Sequence, residues 1–573
     1  MARVSPSDLG NILSNAGIVE SAQFESIQQE AKRTKRPLYQ LLLEKGVIRD
    51  HELGQLVASA KGHKFVRLEE QEISPDVLSL LPEDVARSQL AIPFAATASE
   101  VSVAMENPEN TELINNIEKE TNKKVRVYYA TERDIRSILP RYRKGFARDF
   151  AILLETHSKN AEGAQPSDPP VEELVNLIFS YAYESKASDI HIEPLEDDVV
   201  IRFRIDGILH EVGRFTKNIH ELIVARIKIM AQLRIDEHRA AQDGGLMYRP
   251  QGTILSRAEK NQENIEMRVS IVPITEGEKV ALRLLTARGM ELALTDLGVR
   301  AEDLEKINRN IERPHGMILA TGPTGSGKTT TLYSILKALN TEEINIATIE
   351  DPVEYDIEGV NQIQVNPRTN LTFALGLRAI IRQDPDIIMV GEIRDNETAE
   401  ISVNAALTGH LVLSSLHAND AATTLPRLLD MEIEPFLIAS TVNLIIAQRL
   451  VRKICNHCRE SYIAADDKAL WEKHPQLASM VRSYSKKNLD AIRFYRGTGC
   501  SVCNHLGYQG RIGIFETLEM SDTMNGLVMQ RANSDEIKKQ AIRDGMKTMI
   551  EDGIDKVLEG ITTSEELTRV LKE

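Results

Sequence analysis

The sequence predicts a multidomain α/β protein. At 573 residues the chain is too long for a single hydrophobic core, and its length suggests three or four domains. Short apolar runs of strand character alternate with helical stretches through most of the chain. A polar, proline-rich stretch at residues 164–170 separates two such regions, because proline removes backbone donors and interrupts both helices and sheets.

The composition is that of a folded protein with an acidic surface. Hydrophobic residues make up 42% of the chain and charged residues 27%, which is ordinary for globular domains. The net charge of −16 argues against a general nucleic-acid binder, which needs clustered positive charge. The N-terminus has no apolar signal-peptide core, and no apolar run approaches the ~20 residues that span a bilayer. We therefore expect a cytoplasmic protein that reaches a membrane only through partner proteins.

Residues 1–60 contain an internal repeat. Leu9-Gly10 followed by Gly17-Ile18-Val19 reappears further along as Leu38-Tyr39 followed by Gly46-Val47-Ile48. Each unit has apolar positions at helical spacing, then a glycine break, then a second helical stretch. This pattern predicts a pair of helical hairpins that pack on each other.

Residues 61–145 predict a small α/β module, and residues 146–170 a linker. Within the module we expect a strand at 101–105, a helix at 111–121 and a strand at 124–129.

A further mixed α/β region covers residues 171–290. Residues 199–205 alternate as a half-buried strand that ends at Asp206-Gly207, a strong hairpin turn. Residues 219–233 have the pattern of an amphipathic helix, and the polar stretch 249–266 predicts an exposed loop or hairpin.

The last region, residues 291–573, carries a phosphate-binding signature. Gly322-Pro323-Thr324-Gly325-Ser326-Gly327-Lys328-Thr329 matches GxxxxGK[ST], with Thr330 following it. The glycines let backbone N–H groups surround a phosphate, Lys328 brings a cation to it, and the Thr329 hydroxyl is a ligand for Mg²⁺. An apolar strand at 317–320 precedes the loop and a helix at 330–339 follows it, which is the order that the site requires. We therefore expect ATP and Mg²⁺ as ligands.

Two carboxylates follow buried strands of the same region. The strand 387–390 ends at Gly391-Glu392, and a phosphate-binding loop needs a second strand that brings a carboxylate to the magnesium and its waters. After another strand comes Glu350-Asp351-Pro352-Val353-Glu354, where Glu354 is our candidate for the base that orients or deprotonates the attacking water. The structural alternatives are a plain core strand and a solvated acidic turn, which Asp-Pro favours.

Two histidines, His410 and His417, flank the predicted strand 411–416. Either could sense the γ-phosphate, and a structural hydrogen bond is the alternative for each.

The chain has only four cysteines, arranged as Cys455-x-x-Cys458 and Cys500-x-x-Cys503. Tetrahedral Zn²⁺ accepts four thiolates, and each CxxC turn presents two of them together. The long gap between the pairs indicates a clasp for a subdomain at about 452–512, not a DNA-reading finger. Four sulfurs leave no open coordination position, so we expect structural zinc, with free buried thiols as the alternative.

Together these motifs resemble the secretion ATPase superfamily, and among its branches the assembly motors of type II secretion and type IV pili. The resemblance includes the phosphate-binding loop, the acidic box 348–354, the strand ending at Glu392, the histidine box 409–419, and the stretches 187–194, 202–207 and 242–244. It implies a RecA-like P-loop motor domain at 291–573, preceded by a PAS-like domain at 171–290. It also implies a homo-hexamer that hydrolyses MgATP to assemble a type IV pilus or a type II secretion pseudopilus.

The resemblance also implies roles for arginines and a partner. Arg268 and Arg283 match the family's arginines that close over the phosphates, while Arg378, Arg382 and Arg394 match further family arginines, for which ion pairing is the structural alternative. The implied partner is a platform protein of the inner membrane, which would hold the hexamer at the cytoplasmic face. A ring ATPase for DNA transport and a nucleotide-gated scaffold without turnover are the alternative functions.

Residues 1–60 resemble the domain that in some relatives binds cyclic di-GMP. That pattern opens each unit with Arg-Leu-Gly, whereas here the units open with Asp8-Leu9-Gly10 and Pro37-Leu38-Tyr39. The missing arginine removes a partner for phosphate or guanine, and Tyr39 replaces a glycine that permits close backbone approach. Docking onto the membrane platform is the alternative role for this region.

Overall fold

The fold is described from a computed structural model. It describes residues 6–139 except 17, 20, 35–37, 45–46 and 49, together with residues 150, 153, 170–249, 264–285, 292–503 and 506–572. Nearly all of the expected linker at 146–170 and most of the polar stretch 249–266 lie outside these residues. The chain divides into two compact units, of which the first contains residues 1–149, 453–509 and 560–563 and the second contains the remainder.

The first unit begins with four helices: α1 (Pro6–Asn15), α2 (Ser21–Thr34), α3 (Leu38–Glu44) and α4 (Asp50–Ala60). Their apolar positions form one core that contains Leu13 and Leu42, both fully buried. The two helix pairs occupy the two repeat units, which confirms the predicted helical repeat.

A small α/β module follows in the same unit. Its elements are α5 (Pro75–Leu78), α6 (Glu83–Gln89), β1 (Ala91–Ala96), β2 (Glu100–Met105), α7 (Thr111–Thr121), β3 (Lys124–Tyr129) and α8 (Glu132–Ile138). Strands β1 and β2 are antiparallel, whereas β2 and β3 are parallel and joined through α7. The strands and helix predicted at 101–129 are present within one residue of their expected ends.

Residues 171–285 of the second unit form an antiparallel sheet with two helices. The elements are α9 (Val171–Glu184), β4 (Asp189–Pro194), β5 (Asp198–Ile205), β6 (Ile208–Thr216), α10 (Lys217–Met230), β7 (Gln242–Tyr248), β8 (Ile265–Ile274) and β9 (Gly277–Leu285). The strand order is β6-β5-β4-β9-β8-β7. The turn predicted at Asp206-Gly207 joins β5 to β6, and both residues have positive φ, 49° and 88°, as a two-residue hairpin of this type requires.

A mostly parallel sheet with helices organises residues 292–452. The elements are α11 (Ala301–Ile311), β10 (Gly316–Thr321), α12 (Lys328–Leu339), β11 (Ile346–Glu350), β12 (Val360–Gln364), α13 (Phe373–Ile381), β13 (Ile387–Val390), α14 (Asn396–Leu407), β14 (Leu411–Leu416), α15 (Ala421–Asp430), α16 (Pro435–Thr441) and β15 (Val442–Ile454). The order is β12-β11-β13-β14-β10-β15, with β18 (defined below) as the last strand. Every residue of β10, β13 and β14 is buried, which explains their uninterrupted apolar character.

The C-terminal part returns to the first unit and then completes the second. Residues 453–509 contain β16 (Arg459–Ile463), α17 (Lys468–Lys473), α18 (Pro475–Ser485) and β17 (Arg493–Gly497), with β16 and β17 antiparallel. After them come β18 (Tyr508–Glu519), α19 (Asp522–Met529), α20 (Ser534–Arg543), α21 (Met549–Leu558) and α22 (Ser564–Lys572). Among the described helices, none combines the length and apolar character needed to cross a bilayer.

Candidate functional site

The phosphate-binding loop lies between β10 and α12. Gly322, Gly325 and Gly327 have φ values of 148°, 79° and 92°, which residues with a side chain rarely adopt. A Cβ on Gly322 would lie 2.5 Å from the carbonyl oxygen of Gln448, so the loop also has no room for a larger residue there. Helix α12 begins at Lys328, directly after the loop, so its positive end points to the loop.

The polar groups of the loop suit a polyphosphate. Lys328 Nζ donates to the carbonyl oxygens of Gly322 at 2.9 Å and Pro323 at 3.2 Å. Burial lowers the pKa of Lys328, and the nearby Glu392 carboxylate partly opposes that effect. Ser326 Oγ is buried and has no hydrogen-bond partner among the described residues, which leaves it available to a ligand.

The remaining predicted loop residues lie on the open side. Pro323, Thr324 and Thr329 are exposed, and Thr330 is half-buried. Thr329 is the second residue of α12, so its hydroxyl fits the role of a magnesium ligand beside a bound phosphate.

Four parallel strands bring the other predicted residues to the same edge of the sheet. Strands β11, β13, β14 and β10 are neighbours in that order, and parallel strands end at a common edge. The phosphate-binding loop follows β10, the acidic box follows β11, Glu392 follows β13 and His417 follows β14.

Glu392 is held between an arginine and a histidine. Its Oε1 accepts a hydrogen bond from Arg394, and its Oε2 lies 3.2 Å from His417 Nε2. Burial raises the pKa of Glu392, but the bonds to Arg394 and His417 outweigh it, so the pKa is lowered. Glu392 is therefore ionised at neutral pH and held in one orientation.

His410 lies at the opposite end of β14 from His417. Its Nδ1 is 2.9 Å from the carbonyl oxygen of Ala405, at the end of α14. A six-residue strand spans about 20 Å, so His410 does not reach the nucleotide edge. The two histidines flank the strand as expected, and His410 makes the structural hydrogen bond that was its alternative role.

Within the acidic box, Glu350 and Glu354 have different surroundings. Glu350 is buried, and its carboxylate accepts hydrogen bonds from Thr348 Oγ1 at 2.6 Å, from Gln362 Nε2 at 3.1 Å and from Tyr333. Burial, together with Glu350, raises the pKa of Tyr333 well above its usual range. The carboxylate of Glu350 is thus committed to the fold, whereas the Glu354 side chain is 36% exposed.

Arg268 contacts the acidic box directly. Its Nη2 donates to the carbonyl oxygen of Val353 at 2.7 Å, and its Nη1 lies 3.9 Å from Glu354 Oε2. Arg283 is opposite Arg268 in the register of β8 and β9, and its Nε donates to Asp189 at 3.1 Å. The structure therefore brings Arg268 to Glu354 and places Arg283 beside Arg268, paired with Asp189.

Two of the three further family arginines form ion pairs, which was their structural alternative. Arg378 forms an ion pair with Glu397 at 2.8 Å, and Arg394 pairs with Glu392. Arg382, the residue after α13, is exposed.

Two residues outside the sequence motifs hold the phosphate-binding loop in place. Gln448 on β15 donates from Nε2 to the Ser326 carbonyl at 2.9 Å and accepts from Thr331 Oγ1 at 2.7 Å. Thr321 Oγ1 donates to the Leu416 carbonyl at 3.1 Å, which ties β10 to the strand before His417. Neither residue lies in a recognisable pattern, since both act across strands that are distant in sequence.

The four cysteines converge in the first unit. Their sulfurs all lie within 4.8 Å of one another, with Cys455–Cys500, Cys458–Cys503 and Cys500–Cys503 separations of 3.9, 3.8 and 3.8 Å. No disulfide joins them. Sulfurs at ~2.3 Å from a tetrahedral Zn²⁺ lie about 3.8 Å apart, so the arrangement fits zinc.

Comparisons with known proteins match this architecture. The family described as type II/IV secretion system protein matches residues 164–569, and the MshEN domain matches residues 62–148, the α/β module rather than the helical repeat at 1–60. The type IV pilus assembly ATPase PilB of Myxococcus xanthus is 39% identical over 571 residues, covering 98% of each chain. The type II secretion system ATPase E of Vibrio cholerae is 46% identical over 426 residues, covering 74% of this chain and 80% of that protein.

The fold has a solved counterpart. The X-ray structure of the Legionella pneumophila ATPase DotB aligns with a TM-score of 0.50 at 21% identity, covering 70% of this chain and 97% of that one. The expected fold class is confirmed, as is the family suggested by the motifs. This chain belongs to the type II/IV secretion system protein family and is a P-loop ATPase.

Proposed function

We propose that this chain is one subunit of a homo-hexameric motor that hydrolyses MgATP to assemble a type IV pilus or a type II secretion pseudopilus. The two relatives at 39% and 46% identity are named for these two activities. The observation that carries the proposal is the convergence of four parallel strand ends, which places a polyphosphate cradle, an acidic box, Glu392 and His417 along one edge.

The residues of the edge divide the chemistry among them. Lys328 and the loop amides hold the β- and γ-phosphates. Thr329 would hold Mg²⁺, which would neutralise charge on the transferring phosphoryl group. Glu392, ionised and fixed by its neighbours, would help to hold that ion at the edge. Glu354, a half-exposed carboxylate of the acidic box, orients the attacking water and accepts its proton.

Arg268 connects two parts of the second unit, the sheet of residues 171–285 and the sheet of residues 292–452. It extends from the sheet of residues 171–285 to the acidic box at Val353 and Glu354. We propose that Arg268 and Arg283 move onto the phosphates when nucleotide is bound and return when product leaves, so that hydrolysis drives relative motion of these parts. His417, bonded to Glu392, is placed to report the γ-phosphate to β14 and the helix beyond it.

The first unit supplies structure and docking. Cys455, Cys458, Cys500 and Cys503 would hold Zn²⁺, which would stabilise the 453–509 segment. An inner-membrane platform protein docks on the N-terminal region at the cytoplasmic face. We also propose that the domains of the chain end at residues 60, 145, 170 and 290. Cyclic di-GMP remains a second candidate ligand for the N-terminal region, supported by the MshEN match at 62–148.

The substitution Lys328→Ala tests the proposal. We expect no measurable ATP turnover, since the cation beside the phosphates is lost, whereas Lys539→Ala, an exposed lysine of α20, retains full turnover. Normal hydrolysis by Lys328→Ala would contradict the site. ATP binding without turnover in the unmodified hexamer would favour the scaffold, and turnover that requires duplex DNA would favour DNA transport.

A further inference from the structure

Four charged residues form one row across the sheet of residues 171–285. Strands β5, β4, β9 and β8 are neighbours in that order. Arg204 on β5 is opposite Asp189 on β4. Asp189 is also opposite Arg283 on β9, which in turn is opposite Arg268 on β8. Residues directly opposite each other in antiparallel strands share one face of the sheet, and we name these four residues the charged row.

One end of the charged row lies at the ATP site. Arg268 reaches Val353 and Glu354 of the acidic box. Arg283, its neighbour in the row, instead donates from Nε to Asp189 Oδ1 at 3.1 Å. Like charges directly opposite each other repel, so without an anion between the two arginines Arg283 favours the aspartate on its other side.

Asp189 binds a second guanidinium group that is held more firmly. Arg204 Nε lies 3.3 Å from Asp189 Oδ2, and Nη1 of the same arginine donates to the Gly207 carbonyl at 3.0 Å. Ser188 Oγ donates to Asp189 Oδ2 at 2.8 Å. The side chain of Arg283 is 60% exposed, against 36% for Arg204 and 13% for Asp189. Arg283 is therefore the partner that can leave.

The second partner lowers the energetic cost of that departure. A carboxylate that is largely removed from water is destabilised when it loses its only cation. Asp189 would keep its bonds to Arg204 and Ser188 after Arg283 leaves, so its charge would stay paired. An ion pair with a mostly exposed arginine is also weak in water, so a bound phosphate can compete for that arginine.

We propose that Asp189 is a positioning residue that holds Arg283 away from the phosphates in the absence of nucleotide, and that Arg204 neutralises Asp189 when Arg283 moves. This inference rests on the proposed function, in which Arg283 moves onto the phosphates when nucleotide is bound. Asp189 and the nucleotide then compete for one guanidinium group. The strength of the pair between Asp189 and Arg283 therefore sets part of the Kd for ATP.

The competing explanation is a purely structural set of cross-strand ion pairs. In that case Asp189 and its two arginines only hold β4 to β5 and β9. Removing Asp189 or Arg204 would then loosen the sheet, and any change in ATP affinity would be a loss in both variants. Competition for Arg283 instead predicts changes of opposite sign.

The test measures the Kd for a non-hydrolysable ATP analogue by calorimetry, and kcat by steady-state kinetics, in the full chain. The variants are Asp189→Asn and Arg204→Gln, each alone and combined with Arg283→Ala, together with Arg283→Ala by itself. Asp198→Asn is the matched control, because Asp198 forms an ion pair with Arg214 at 3.0 Å on the same sheet but outside the charged row. The unfolding midpoint of each variant is also measured.

Asp189→Asn should lower the Kd about two- to fivefold, the range for an exposed ion pair, because Arg283 loses its competing partner. Arg204→Gln should raise the Kd by about the same factor, because Asp189 then depends on Arg283 for its neutralisation. Neither change should affect the Kd in the Arg283→Ala background, and Asp198→Asn should leave the Kd unchanged.

A Kd that rises in both variants, or that changes equally with and without Arg283, would overturn the inference and leave the proposed function standing. An unchanged Kd in Asp189→Asn would do the same. If Arg283→Ala by itself alters neither the Kd nor kcat, the role of that arginine in the proposed function fails together with this inference. If Asp189→Asn does not fold, the sign of the Arg204→Gln effect and its dependence on Arg283 decide.

Discussion

Replacing Gln448 with leucine would break the amide bridge between the phosphate-binding loop and α12. The side chain is buried and makes two bonds, to the Ser326 carbonyl at 2.9 Å and to Thr331 Oγ1 at 2.7 Å. Leucine has similar bulk but neither a donor nor an acceptor, so both partners lose their bond without a large cavity.

The size of the effect follows from those two groups. Leaving a buried polar group unpaired costs about 1–3 kcal/mol. The Thr331 hydroxyl can turn to a carbonyl of its own helix, so most of the cost remains at the Ser326 carbonyl, about 2 kcal/mol in all. If that energy favours loop conformations that do not bind phosphate, the Kd for ATP rises about thirtyfold. Turnover at saturating ATP should change much less, because Glu354 and Glu392 are untouched.

Calorimetric titration with a non-hydrolysable ATP analogue measures the Kd, and steady-state kinetics measure kcat. Gln540→Leu is the matched control, since its amide bonds Asp544 on an exposed helix face. In a Thr331→Val background, Gln448→Leu should have a smaller effect, because one bond is already absent. A Kd within twofold of the unmodified protein would refute the assignment of Gln448 as a positioning residue of the loop.

Three further predictions concern the carboxylates and the metal. Glu392→Gln should keep ATP affinity within a few-fold while kcat falls by about 10²–10⁴, the range for groups that manage water and protons. Cys458→Ser should release zinc, measured by metal analysis, and lower the unfolding temperature of residues 453–509. Burial raises the pKa of Glu566, but bonds from Arg569 and Arg452 outweigh that effect and lower the pKa from 4.5 to about 2. The ionised carboxylate therefore stabilises the folded state by about 3 kcal/mol. This stabilisation is present above pH 4.5 and is lost as the pH falls toward 2.

A control or a contradicting result can be named for each of these three variants. Loss of ATP binding in Glu392→Gln would show that this residue acts in nucleotide binding. Glu397→Gln, an exposed residue of α14, is the control. Absence of metal in the unmodified protein would end the zinc assignment. For Glu566→Gln, the difference in unfolding midpoint from the unmodified protein should shrink between pH 5 and pH 3. A difference that does not depend on pH would exclude the ion pairs as its cause.

Local patterns in the sequence were sufficient for elements whose signals are contiguous. The strand 387–390, the strand 411–416 and the helix 111–121 lie where they were predicted, because uninterrupted apolar runs and helical periodicity depend only on near neighbours. The helix after the phosphate-binding loop begins at Lys328, two residues earlier than predicted, since the positive φ of Gly327 ends the loop there.

The site depends on more than its motifs. Glu350 and Glu354 are four residues apart and chemically identical. Glu350 is buried and hydrogen-bonded to Thr348, Gln362 and Tyr333, so its carboxylate is not available to act as a base. His410 and His417 differ in role only because they leave opposite ends of β14. Such distinctions arise from partners that approach from other strands, and no local pattern encodes them.

By itself the sequence determined the class of protein, the phosphate-binding loop and the four cysteines, since each consists of a few residue types at short fixed spacing. Only the tertiary structure decided which arginine reaches the acidic box and that Gln448 holds the loop. Those features join residues far apart in the chain, and their geometry exists only once strands pair and helices pack.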